Sequence, residues 1–176
     1  MQTEGVRYGA RSLEHAYLID EEGLEMAREA GTYVVPTMQM TQEALQELHA
    51  GTLPCQAVWK FGRDSEGILS SQQLLASSDV KVAYGTDCGM FPFGQGILEF
   101  QAMVDAGLSE IRAPKAATSV AAELLGRDDL GVLAPGKLAD IVAMPGDPTD
   151  DIGVTANVDF VMNGGRVYLG PETAAA

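Results

Sequence analysis

Val80-Lys81-Val82-Ala83-Tyr84-Gly85-Thr86-Asp87 is an apolar, strand-like run that ends on a carboxylate. A second run far upstream, Ala10-Arg11-Ser12-Leu13-Glu14-His15, ends in the same way on an imidazole. Between them stands Thr32-Tyr33-Val34-Val35, β-branched and aromatic and bounded by Pro36, which reads as a buried strand. Helical stretches separate the three. Asp20-Glu21-Glu22 opens the first, with Asp20 as N-cap and acids in the first turn. Leu24, Ala27 and Ala30 give it an apolar stripe, and Gly31 closes it. Residues 41–50 read as the next helix, and Gly51-Thr-Leu-Pro54 breaks it. A longer helix over roughly 55–77 is expected to bury Val58, Phe61, Ile68, Leu74 and Leu75.

The outer parts of the chain follow the same logic. Residues 1–9 read as the end of a helix closed by Gly9. Residues 80–86 are the third strand, 88–96 a Gly/Pro loop, and helices are expected at about 97–106 and 109–125. Strand–helix alternation over 1–126 implies an α/β fold, a parallel sheet with crossover helices. His15 and Asp87 then leave the C-terminal ends of their strands, where βα loops build active sites. Near Gly126 the pattern changes. Residues 139–144 read as a strand, and 158–168 as a β-hairpin with an Asn-Gly turn at Asn163-Gly164. This divides the chain into a partial barrel (1–126), a small C-terminal β module (127–170) and a disordered tail (171–176).

Charge and composition exclude some partners. A net charge of −14 argues against nucleic acid or an anionic membrane, both of which would repel the chain. Cys55 and Cys88 form no CxxC pair, so neither a disulfide framework nor a zinc knuckle is expected. No apolar run approaches the roughly 18 residues that span a bilayer, and the first residues do not resemble a leader. A soluble, cytoplasmic protein is the expectation.

A histidine and a carboxylate at the tips of parallel strands are the donors that a metal-dependent hydrolase on a (β/α) barrel needs. Each residue alone also has a plainer reading: Asp87 after Gly85-Thr86 as a turn cap, His15 as a structural strand-end histidine. Cys88 reads as a small buried residue rather than a nucleophile, with no histidine near it in sequence. His49 reads as a solvated helix residue and Trp59 as helix packing. The acidic runs 20–22 and 147–151 read as caps and turns.

Five segments taken together resemble the amidohydrolase superfamily, in particular its imidazolonepropionase- and metallo-dipeptidase-like members: ARSLEHAYLID (10–20), AREAGTYVVPT (27–37), VAYGTDCG (82–89), KAATSVAAELLG (115–126) and LAPGKLADIVAMPGDP (133–148). The resemblance implies a (β/α)8 TIM-type barrel with a β-sandwich, of which this chain would hold about strands six to eight and the C-terminal β module. Residues 1–9 would be the tail of helix five. His15 would match the strand-six histidine ligand and Asp87 the strand-eight aspartate ligand. The implied cofactor is Zn2+, one or two divalent ions. The implied reaction is hydrolysis of a C–N bond in an amide, cyclic amide or dipeptide-like substrate, with Asp87 as general acid and base.

Tyr17, Met38 and Gln39 follow strand-like tips, as does Thr37, and Met90 and Phe93 lie in the loop after Asp87. All are expected near a substrate, on an equal footing with plain packing for those after the strand tips. Relatives often carry a histidine where Phe93 stands and a glycine where Ala16 stands. The first departure hints at an apolar substrate group.

A catalytic zinc site needs three protein ligands and the resemblance assigns two here. The chain by itself is therefore expected to be inactive and to bind zinc weakly, completed by an N-terminal half of the barrel. The competing reading is a non-catalytic module that pairs with a separate N-terminal half, or with copies of itself, through its open strand edges.

Overall fold

A computed structural model describes residues 2–89 and 91–170. Met90 and the tail 171–176 lie outside the described residues.

Helix α1 (Gln2–Arg7) ends on Gly9, whose φ of 80° is the left-handed conformation that a side chain would resist. Its carbonyls are closed by the N–H groups of Gly9 and Ala10. Strand β1 (Ser12–Glu14) follows and pairs in parallel with β2 (Tyr33–Val35), Leu13 facing Val34 in the register. Helix α2 (Glu21–Ala30) makes the crossover between them. Asp20 caps it through Gly23 N–H at 2.9 Å, and Gly31 closes it at φ 69°. The buried stripe is Gly23, Leu24 and Ala27. Ala30 is exposed, one position too far round the helix to reach the core.

The run at 80–86 is shorter as a strand than its composition suggests. It meets β2 at a single parallel bridge, Val82 to Val34. Val34 N–H donates to Lys81 O and Val34 O accepts from Ala83 N–H, both at 2.9 Å. Beyond that the chain turns away, and Tyr84 N–H donates to Ala116 O on another element. Gly85 permits the turn: a Cβ there would overlap Val35 Cγ1.

Helix α3 (Met38–Ala50) begins three residues earlier than expected, so Met38 and Gln39 sit in its first turn. Helix α4 (Cys55–Ser77) covers the expected span. Ile68 and Leu75 are buried, but Val58 is exposed and Trp59 does not pack; it is 70% exposed, with the Arg63 guanidinium over its ring. A 3-10 turn over Phe93–Leu98 leads into α5 (Glu99–Asp105).

The helix expected over 109–125 is two, α6 (Arg112–Ala117) and α7 (Ser119–Leu124). Thr118 breaks it. Its hydroxyl donates back to Pro114 O at 2.7 Å, its backbone leaves the helical region, and Gly131 crosses close against its carbonyl.

A separate antiparallel sheet has the order β3 (Ile141–Ala143), β4 (Phe160–Asn163), β5 (Arg166–Leu169). Asn163 pairs with Arg166, so the two-residue turn is Gly164-Gly165, both at positive φ, and not Asn-Gly. Asn163 instead donates its side-chain amide to Asp140 at 2.9 Å. Ile152, in a 3-10 turn between β3 and β4, joins the same hydrophobic cluster as Val34, Met38, Leu75 and Met103.

The close approach at Gly85 makes a test with opposite signs at two glycines. Gly85→Ala should destabilise the chain by about 1–3 kcal/mol through forced movement of Val35. Gly94→Ala, where a Cβ meets nothing, should be neutral or stabilise by about 0.4–1 kcal/mol. Urea unfolding of both variants measures the difference.

Candidate metal centre

Three strand ends converge because β2 lies between its two neighbours. His15 follows β1, Thr37 follows β2, and Asp87 follows the 80–86 run. All three have positive φ: 64°, 49° and 48°. Ala16, at φ 50°, adds a fourth. Non-glycine residues adopt this conformation at a cost, and a cluster of them is typical of sites where geometry is imposed by surroundings. The ladder imposes it here. His15 N–H is still tied to Val35 O at 2.8 Å, and the chain must reverse immediately afterwards, as the bond from Ala16 N–H to Glu14 O records.

The side chains meet above these ends. His15 Nε2 lies 3.9 Å from Asp87 Oδ2, with the imidazole 38% and the carboxylate 57% exposed. The other ring nitrogen, Nδ1, lies 2.8 Å from Thr37 Oγ1. Tyr17 stacks beside the imidazole, ring centroids 5.4 Å apart. Thr41 Oγ1 reaches the Tyr17 hydroxyl at 3.5 Å and itself accepts from Gln72 Nε2 at 2.8 Å. Burial holds the Tyr17 phenol above its ordinary pKa, against the pull of hydrogen bonds from Thr41 and Thr37.

A zinc-type ion sits about 2.1 Å from nitrogen and oxygen donors, so two atoms that share one ion are at most about 4.2 Å apart. The His15–Asp87 separation falls inside that limit, and an imidazole with a carboxylate is a donor set that suits such an ion. Number is what the pair lacks: among the described residues, no group of three or more His, Cys, Asp or Glu could hold a metal.

The other residues expected at the site divide. Phe93 is 86% exposed at the start of its 3-10 turn. Met38 is closed within the core. Gln39 is buried, and neither its side-chain oxygen nor its nitrogen has a hydrogen-bond partner. Cys88 is half-buried with Sγ 2.9 Å from Thr86 Oγ1, and His49 is exposed.

Glu99 was not singled out in the sequence. Its carboxylate is wholly buried and accepts from Met38 N–H at 2.8 Å and Gln39 N–H at 2.7 Å. Burial pushes its pKa up to about 7, against the pull of those two bonds. The nearby Glu99 charge contributes to raising the Tyr84 phenol as well, behind burial.

The profile of the Amidohydrolase family matches residues 6–168. Ochratoxinase of Aspergillus niger is 31% identical over 173 residues, covering 94% of this chain and 35% of its own length. A crystal structure of a Xaa-Pro dipeptidase with bound methionine superposes with TM-score 0.90 and 33% identity, over 96% of this chain and 42% of the other. The crystal structure of A. niger ochratoxinase gives TM-score 0.84 and 29% identity, over 97% and 40%. The chain thus spans well under half the length of these relatives.

Glu99 predicts a pH dependence. An ordinary glutamate in the unfolded chain has a pKa of about 4.3, and the folded value is raised to about 7. Its contribution is therefore fully present below about pH 4.3 and is lost as pH rises through about 7. The stability of the natural chain relative to Glu99→Gln should fall by roughly 3 kcal/mol between pH 4.3 and 8. Denaturant unfolding of both at several pH values checks it, and a pH-independent difference contradicts the assignment.

Proposed function

The chain belongs to the Amidohydrolase family, and from that premise we propose that it carries the His15–Asp87 part of a metal-dependent hydrolase site acting on C–N bonds of amide, cyclic amide or dipeptide-like substrates. The observation that carries this reading is the 3.9 Å approach of His15 Nε2 to Asp87 Oδ2. In this reading the two residues leave about strands six and eight of a (β/α)8 barrel, residues 127–170 supply strands of a β-sandwich, and the remaining ligands come from a polypeptide segment that carries the other strands. The ion is zinc, one or two per site.

His15 and Asp87 would hold the ion, which when bound acidifies a water and polarises the scissile carbonyl. Asp87 Oδ2 takes the proton of the attacking water and delivers it to the leaving nitrogen. Thr37 Oγ1 holds the imidazole through Nδ1, and the Tyr17 ring keeps water from one side of it. Phe93 offers an exposed apolar ring to a substrate side group. Gln39, buried without a partner, is a further substrate-side candidate; Met90 is assigned to the substrate side from its place in the sequence after Asp87, and Met38 packs in the core.

The named relatives suggest the first substrates to try: an Xaa-Pro dipeptide and an ochratoxin. The chain with Zn2+ alone should show no turnover, since two protein ligands do not complete a catalytic site. When it is assembled with a segment that supplies the other ligands, turnover should appear. Asp87→Asn should then lower kcat by about 10²–10⁴ with little change in KM. Turnover that survives Asp87→Asn contradicts the role given to that carboxylate.

A further inference from the structure

Among the described residues Glu99 is the only charged side chain that is buried. It starts α5 and reaches across to the first turn of α3, where its two oxygens take the N–H groups of Met38 and Gln39. These are the first two of the N–H groups that every helix leaves without intrahelical partners.

Thr37 holds the N-cap position of α3, and a threonine there ordinarily spends its hydroxyl on the second or third helical N–H. The second is Gln39 N–H, which Glu99 occupies. Thr37 makes no side-chain capping bond; its backbone is left-handed (φ 49°, ψ 53°), and its Oγ1 lies 2.8 Å from His15 Nδ1. Helix, imidazole and the Tyr17 phenol are thus claimants for one hydroxyl, and Glu99 occupies the nearer of the two helical N–H groups that a threonine cap would take.

We propose that Glu99 is a positioning residue for His15: by capping α3 it releases Thr37 Oγ1 to accept from His15 Nδ1–H, which leaves Nε2 as the lone-pair nitrogen on the Asp87 side. The inference rests on reading His15 as the site histidine. A histidine ligand is set in its tautomer by the bond its other nitrogen makes. Here that bond depends on a carboxylate whose own hydrogen bonds go to Met38 N–H and Gln39 N–H, and to neither His15 nor Thr37.

The test needs neither metal nor turnover. The chain has two histidines, and exposed His49 serves as the internal reference. Long-range proton–nitrogen NMR of the imidazoles at about pH 8.5, roughly two units above the usual histidine pKa, reads both tautomers. His15 should carry its proton on Nδ1, while His49 shows the Nε2–H-rich mixture of a free imidazole.

Glu99→Gln offers one acceptor for two N–H groups, so Thr37 should turn to the helix and His15 should move to the His49 pattern. Thr37→Val should move His15 in the same way, yet leave hydrogen exchange at Met38 and Gln39 as slow as in the natural chain, because Glu99 still caps them. The proposal is overturned by a natural chain with His15 protonated on Nε2, or by a folded Glu99→Gln that keeps the natural tautomer. It is equally overturned by a Thr37→Val that speeds exchange at Met38 and Gln39 by more than about tenfold. Should Glu99→Gln fail to fold, Thr37→Val decides alone. A failure of hydrolysis would leave all of these readouts in place, so the two readings fail separately.

Discussion

The position of Val34 orders this molecule. It lies in the middle of the parallel ladder, paired to β1 on one side and bonded through both its N–H and its C=O to the 80–86 run on the other. Parallel strands leave the same end of a sheet, so three chain reversals must occur side by side. His15, Thr37 and Asp87 are those reversals, and each takes a left-handed backbone to make the turn. The strain is local and the ladder and core around it are buried, which is how a strained cluster persists.

The second level of organisation comes from helix ends. Three ends are closed by residues next to them: Asp20 before α2, Gly31 after it, Gly51 after α3. The start of α3 is different: its N-cap hydroxyl is engaged elsewhere, and its first two N–H groups are met by a carboxylate from α5. A buried carboxylate is costly, and burial pushes its pKa up to about 7. The helix N-terminus compensates through two charge-assisted bonds and the favourable end of its dipole. In the proposed arrangement this links His15 to a buried carboxylate in a different element.

What could be read from the sequence follows from how local each signal is. His15 and Asp87 were readable because position at a strand end is a local property, and the strands are apolar and β-branched. Asp20, Gly31 and Gly9 were readable for the same reason, as caps within one turn of what they cap. Glu99 was not: a glutamate at a helix start looks like an ordinary first-turn acid, and its true partners are 60 and 61 positions away. The break at Thr118 depends on Gly131 crossing nearby, and the exposure of Val58 and Trp59 on what packs beside α4. The shortened third strand is likewise a matter of where its neighbours end, since Tyr84 finds its partner on α6 and not on the ladder.

The central claim is that His15 and Asp87 are donors to one divalent ion. The most direct measurement is the anomalous-scattering map of crystals of this chain soaked at saturating Zn2+. The account predicts a zinc peak within about 2.1 Å of both His15 Nε2 and an Asp87 carboxylate oxygen. A well-resolved map with zinc bound only elsewhere, at His49, Cys55 or the acidic surface, and none between His15 and Asp87, would contradict it.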